Sequence, residues 1–217
     1  MPFSWEFALE IAPSLGYAAL ITFAVTIGGY LASLVLGMIF FGLMRMPNFW
    51  VRRLGRWIVE VLRSTPLLIQ AYFIYFILPG FGIVLSALMT GVVALGLYHG
   101  AYVAEAYRAG LESIPQGQWD AARSLRFSNY ATYRHIIVPQ LLPPIIPVLG
   151  NTFITMLKDS SILSAVAVPE LMFVANDVGS RHFQYTEPIT LAALSYLVMS
   201  LFCAGVLYFV EHRMRVV

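Results

Sequence analysis

"QWDAARSLRFSNYATYRHIIVPQ", residues 118–140, separates two strongly apolar stretches and carries Asp120, Arg123, Arg126, Arg134 and His135 in a chain that is only 11% charged. Ala121, Ala122, Arg123 and Leu125 favour a helix from Gln118 to Arg126. Trp119, Ala122 and Phe127 give that helix a small or apolar side, and Arg123 and Arg126 give it a charged one. Ser128 and Asn129 break it, and a second turn through Tyr133 and Ile137 runs to Pro139. The segment is too polar to cross a bilayer and too short to be a domain. It either lies on the membrane surface or docks into a cytoplasmic partner, and the residues alone leave both open.

The surroundings fix the class. The 217 residues are 59% hydrophobic, with a mean hydropathy of +0.78. Soluble domains are about 45–50% apolar and about 25% charged, so this composition belongs to a membrane protein. A net charge of +2 is too small to point to nucleic acid. The single cysteine, Cys203, lies in an apolar run and reads as a small buried hydrophobe with no intrachain disulfide. The opening "MPFSWEFALEIAPSLG" carries Glu6 and Glu10 and lacks the basic region of a cleaved signal peptide. The first apolar run therefore reads as a permanent span.

A spanning helix needs about 20 mostly apolar residues. Five segments qualify, near 17–44, 57–79, 83–107, 139–165 and 188–210. The expected fold is all-α: one polytopic membrane domain over 1–217, with about five spans and a polar cytoplasmic loop near 109–138. Orientation follows from the short-loop arginines. Arg45, Arg52, Arg53 and Arg56 fall between the first two spans; Arg108, Arg123, Arg126 and Arg134 fall between the third and fourth; Arg213 and Arg215 follow the fifth. The other side has Arg181 against Glu6, Glu10, Glu170, Asp177 and Glu187. The arginine-rich side is the cytoplasm, with the N-terminus outside and the C-terminus inside.

Chemistry of its own is not visible. A phosphate-binding P-loop needs Gly-Lys-Ser/Thr, whereas the only lysine, Lys158, follows Leu157. His99, His135, His182 and His212 form no H-E-x-x-H pair, and no G-x-S-x-G elbow occurs. The chain is not expected to be an enzyme or to carry a cofactor or metal.

The segment 118–140 resembles the E-A-A-x3-G-x9-I-x-L-P loop of ABC-transporter permeases. Asp120, Ala121 and Ala122 match its opening, and Ile136 and Pro139 match its end at the same spacing. Asp120 stands for Glu, Val138 for Leu and Arg126 for the glycine, a residue that often supplies a positive φ. "EVLRSTPLLIQAYFIYFILP" (60–79), "YVAEAYRAGLESIPQGQWDAA" (102–122) and "LKDSSILSAVAVPEL" (157–171) are similar to the second span, third-span exit and fourth-span end of the polar amino acid uptake family. The four motifs occur in family order, and the similarity runs from about Gly16 to Arg213.

The resemblance implies the permease subunit of an ATP-binding-cassette importer for polar amino acids or related zwitterions. It sits in a bacterial inner membrane with a second permease chain, two ATPase subunits that bind ATP and Mg, and an extracytoplasmic solute-binding protein. The loop is then a coupling helix seated in an ATPase groove. Trp119, Leu125 and Tyr133 fill that groove, Ala121 and Ala122 allow close approach, and Asp120, Arg123 and Arg126 complete the contact.

Ionisable residues inside spans are functional candidates by default. Counting from Pro139 at about 1.5 Å per residue puts Lys158 about 28 Å along its helix, towards the outer half of the bilayer. Adjacent helix residues do not face each other, so Asp159 is a poor partner for Lys158. Lys158, Asp159, Ser160 and Ser161 either line the solute path or shape an outer gate. Gln70, one turn after Thr65-Pro66, His99 and Asn151 are further path candidates, each with an ordinary structural alternative. Glu60 with Arg63 and Glu105 with Arg108 have the spacing of intrahelical pairs. Thr65-Pro66 is expected to kink the second span, and Pro143, Pro144 and Pro147 to bend the fourth. The outer loop 166–187 either touches a binding protein or is merely solvated. A compatible-solute or opine importer of the same architecture is the alternative within transport. An ATP-independent secondary transporter is the competitor from another class, and the absence of an inverted repeat speaks against it.

Overall fold

Hydrocarbon offers a backbone no water, so each N–H and C=O within it must be satisfied by the chain itself. The computed structural model describes residues 3–215, with side chains to Arg213, and these residues are mostly helical with no strand among them. α1 (Trp5–Met44) is 40 residues long and is capped by the Ser4 hydroxyl, which accepts from Phe7 N–H at 3.3 Å. It begins well before residue 17, where the apolar run was expected to start. Glu6 lies in its first turn, where the helix dipole favours negative charge.

The second span is broken. α2 (Phe49–Ser64) starts from an Asn48 side chain that accepts from Trp50 and Val51 N–H, and it ends before Pro66. Thr65 is extended (φ −105°, ψ 130°), as the ring of a following proline demands. α3 (Leu67–Tyr72) continues through a wide turn (Phe73–Ile77) and a tight one (Leu78–Phe81). The two halves are bent by 104°. Gln70 holds this elbow: its Nε2 donates to the Leu62 carbonyl at 2.7 Å and to that of Thr65 at 3.0 Å, two of the groups orphaned by the break. The continuous span expected at 57–79 is thus two helices, and the proline is the cause.

α4 (Ala87–Glu112) lies against α1 along a seam of small residues. Gly29, Ser33 and Gly37 recur every fourth residue on α1 and are buried; Gly96 and Gly100 do the same on α4. A Cβ on Gly37 would lie 2.5 Å from Val103 Cγ1, and one on Gly96 would lie 2.8 Å from Ala32 Cβ. Small residues at this spacing let two helix backbones approach where lipid provides no hydrophobic drive between helices.

α5 (Gln116–Ser124) and α6 (Asn129–Thr132) follow at the α1/α4 exit, and a wide turn (Tyr133–Ile137) feeds α7 (Val138–Asp159). The run Asn129–Val166, 38 residues long, is long and apolar enough to cross a membrane and contains Pro143, Pro144 and Pro147. After a 3-10 turn (Ser160–Val166), α8 (Leu171–His182) lies against α1 and α9 (Thr186–Arg215). Leu171 and Ala175 of α8 join Ile11, Leu15, Ala18 and Ala192 in one apolar cluster. Most of the loop at 166–187 is therefore a packed helix.

Glu170 starts α8 and is fully buried. Its carboxylate accepts from Met172 N–H at 2.9 Å, Phe173 N–H at 2.7 Å and the Tyr196 hydroxyl. Burial raises its pKa above the ordinary carboxyl range and outweighs these bonds, which favour the charged form. A carboxyl whose pKa is raised on folding binds its proton more tightly in the folded chain. Its contribution is therefore greatest below the unfolded value and is lost as pH rises through the folded one. Glu170→Gln should flatten that part of the stability–pH curve, read by thermal unfolding in detergent across the weakly acidic range. A wild-type slope retained in the variant would contradict it.

Gly37→Leu should overpack the α1–α4 seam and cost about 1–3 kcal/mol. Gly42→Leu, whose Cβ meets nothing within 4 Å, should leave stability unchanged. Denaturant titration in mixed micelles distinguishes the two.

Candidate functional site

Two places carry polar chemistry that the apolar bundle does not need: the polar corner at α5 and the end of α7. At the corner, α5 is held by few side chains. Trp119 packs edge-on against Tyr133 (ring centroids 5.5 Å, 77°) and rests against the cluster of Leu111, Ile114 and Ile137. Ala122 is 1% exposed and faces inward, whereas Asp120, Ala121, Leu125 and Arg126 are exposed. Of the two alanines, only Ala121 offers a surface to a partner. Asp120 accepts from Arg123 at 2.6 Å, but both side chains are largely in solvent, so the pair contributes little to stability. Gln140 Nε2 donates to Gln118 Oε1 at 3.3 Å, tying α5 to the first turn of α7.

The end of α5 explains the position where the family pattern has glycine. Phe127 N–H donates to the Ala122 carbonyl and Arg126 N–H to that of Arg123, both at 3.0 Å, which is the Schellman arrangement. That motif needs a left-handed residue after the cap, and Arg126 takes it with φ 56°. The turn is therefore kept without the glycine, against a local strain of about 1 kcal/mol for an L-residue.

The second place joins α7 to α4. Asp159 Oδ2 lies 3.2 Å from His99 Nε2, close enough to interact but outside good hydrogen-bond geometry. His99 is 3% exposed and stands halfway along α4. Asp159 thus stands beside the middle of α4. Lys158 is exposed and has no carboxylate within 4 Å among the described residues.

Ser160 is buried, and its hydroxyl donates to the Leu157 carbonyl at 2.7 Å; that of Ser161 donates to Lys158 at 2.8 Å. Both hydroxyls serve the tightening of the helix end. Asn151 is exposed on α7, and Gln70 is committed to the elbow. The structure adds Tyr98, half-buried beside His99, whose hydroxyl is 3.4 Å from that of Tyr102. Only its adjacency to His99 signalled it in the sequence.

Of the two intrahelical pairs expected, one forms. Arg108 donates to Glu105 at 2.6 Å and also to Glu112 at 2.5 Å. Glu60 instead accepts from Ser64 at 3.4 Å, while Arg63 sits over the Tyr102 ring at 5.2 Å.

Arg126→Gly should relieve the strain at the α5 terminus. Amide exchange at Leu125, Arg126 and Phe127 should slow by up to about fivefold, the equivalent of about 1 kcal/mol. Arg126→Val should accelerate it, because a β-branched residue is least at ease at positive φ. Equal exchange in the three proteins would contradict the strain.

A family model described as "Binding-protein-dependent transport system inner membrane component" matches residues 29–216. The probable amino-acid ABC transporter permease protein y4tG of Sinorhizobium fredii is 34% identical over 216 residues, covering 96% of this chain and 94% of its own. The probable glutamine ABC transporter permease protein GlnM of Bacillus subtilis is 37% identical over 200 residues, covering 92% and 91%. Among solved structures, an amino acid ABC transporter crystallised with histidines superposes with a TM-score of 0.92 at 32% identity, over 98% of this chain and 100% of that one. The inward-facing MetNI methionine transporter, at 20% identity and a TM-score of 0.69, shares the fold. A match over most of its length, with relatives alike from end to end, places this chain in the family of binding-protein-dependent transport system inner membrane components.

Proposed function

We propose that the whole chain, residues 1–217, acts as one permease domain that carries polar amino acids or related zwitterions inward. The work is done by ATP and Mg bound to partner ATPase subunits. One observation carries this reading. The helical run Asn129–Val166 begins beside the Trp119–Tyr133 contact and contains both Lys158 and Asp159. A push on α5 is therefore delivered, through the Trp119–Tyr133 contact, along one helical run to a cation and an anion on adjacent positions beside the middle of α4. Lys158 suits a carboxylate, and Asp159, backed by His99, suits an ammonium. The names carried by the relatives support amino acids as cargo.

In this reading α5 sits in a groove of an ATPase subunit through its exposed face, with Asp120, Ala121, Arg123, Leu125 and Arg126 in contact. Trp119, Tyr133 and Ala122 keep it attached to the bundle. Closure of two such subunits moves two permease chains against each other and shifts the population between inward- and outward-open forms. A solute-binding protein delivers cargo from the side that holds the α1 N-terminus and α8, and the C-terminus of α9 lies in the cytoplasm.

Ala121→Trp enlarges a residue that is exposed on α5 and touches no core cluster. It should reduce ATP-dependent uptake by the reconstituted transporter at least tenfold, on the order of the 1.4 kcal/mol that a factor of ten represents. Membrane insertion and thermal stability should stay as in the wild type. Undiminished uptake would reject α5 as the lever. Asp159→Asn should weaken uptake of an amino acid with a free ammonium more than that of its N-acylated analogue. Equal losses for both would remove Asp159 from the solute path.

A further inference from the structure

We propose that the elbow between α1 and α2 binds the headgroup of an anionic phospholipid. Arg45, Arg52, Arg53, Arg56 and Arg108 converge on a cleft of about 700 Å³ at the end of α1, with Glu112 as the one carboxylate in its lining. Arg108 is neutralised by Glu105 and Glu112, but the other four arginines have no carboxylate within 4 Å among the described residues. Four guanidinium groups without counter-charges repel each other, and an anion is what relieves them.

Three of them are also held in place. Arg45 lies 5.8 Å over the Phe41 ring, Arg52 and Arg53 lie 6.0 and 5.9 Å from that of Phe49, and Arg52 donates to the Met46 carbonyl at 3.3 Å. Fixed guanidinium forks suit phosphate oxygens, which they bond in pairs.

The apolar half of the site identifies the phosphate as a lipid's. Trp50, Leu54, Trp57 and Val61 are 75%, 60%, 60% and 54% exposed, and their spacing puts them on one face of α2. Trp57 belongs to both features: it stands in this stripe and lines the arginine cleft. The cleft lies where α1 ends, and tryptophan favours the level where acyl chains meet headgroups. A phospholipid with net negative charge presents a phosphodiester to the arginines and an acyl chain to the stripe in one molecule. A soluble phosphate would use only the first, and an acidic protein surface would leave the stripe uncovered.

The test is retention of phosphatidylglycerol against phosphatidylcholine by the purified transporter, measured by native mass spectrometry after detergent washing. Phosphatidylglycerol should be retained selectively by the wild type. The triple variant Arg52→Gln, Arg53→Gln, Arg56→Gln should retain less by about fivefold per arginine removed. The corresponding triple lysine variant should keep most of the binding, which separates loss of charge from loss of fold. Equal retention of phosphatidylcholine, or unchanged retention of phosphatidylglycerol by the glutamine variant, would overturn the proposal. Inorganic phosphate that displaced the lipid at equal concentration would assign the cleft to a soluble anion. A glutamine variant that kept its phosphatidylglycerol but lost co-purifying ATPase subunits would make the cleft a protein contact instead.

Discussion

The seam between α1 and α4 sets the geometry of everything else. Helices in lipid gain nothing from hiding apolar side chains, because the tails around them are as apolar as the interior. Close approach of backbones supplies the attraction instead, and Gly29, Ser33 and Gly37 facing Gly96 and Gly100 permit it. The same seam fixes the depth of α7. A Cβ on Gly29 would reach 3.3 Å from the Met156 sulfur, three residues before Asp159, and Gly100 adjoins His99. The His99–Asp159 approach at mid-span is thus a consequence of how tightly two other helices pack.

The polar corner follows the opposite rule. Asp120, Arg123 and Arg126 are tolerated because α5 lies outside the bundle, attached mainly through Trp119 and Ala122. A helix held this lightly has room to move, and beyond the turn at 125–128 the chain is helical from Asn129 into α7. Arg126 shows how firmly the corner is specified. The left-handed turn is made even with a side chain that resists it, so the hydrogen bonds from Arg126 and Phe127 back into α5 outweigh the strain.

Much of this was legible in the residues. Runs of apolar side chains marked the long apolar helices, and the polar run after Gln118 marked the short helix α5 between them. What escaped was set by contacts between distant positions or by backbone geometry. The start of α1 at Trp5 was hidden because Glu6 and Glu10 interrupt the apolar run without interrupting the helix. Pro66 announced a kink, but not one as sharp as 104°, nor that Gln70 would be consumed in holding it. Asp159 meets His99 across sixty positions of sequence, which no local pattern encodes. Glu170 fell in a loop read as either touching a binding protein or solvated, and it is a buried helix cap, because α8 folds back over α1. The small-residue seam went unread, because its partners on α1 and α4 lie far apart in the chain.

The proposed transmission of ATP energy through α5 makes one direct demand on the molecule. A photo-crosslinker placed at Leu125, which is 71% exposed, should join the chain to a nucleotide-hydrolysing subunit in native membranes, and the yield should change between the nucleotide-free and ATP-trapped states. Adducts to lipid alone, or labelling of that position from the outer face of sealed cells, would contradict it.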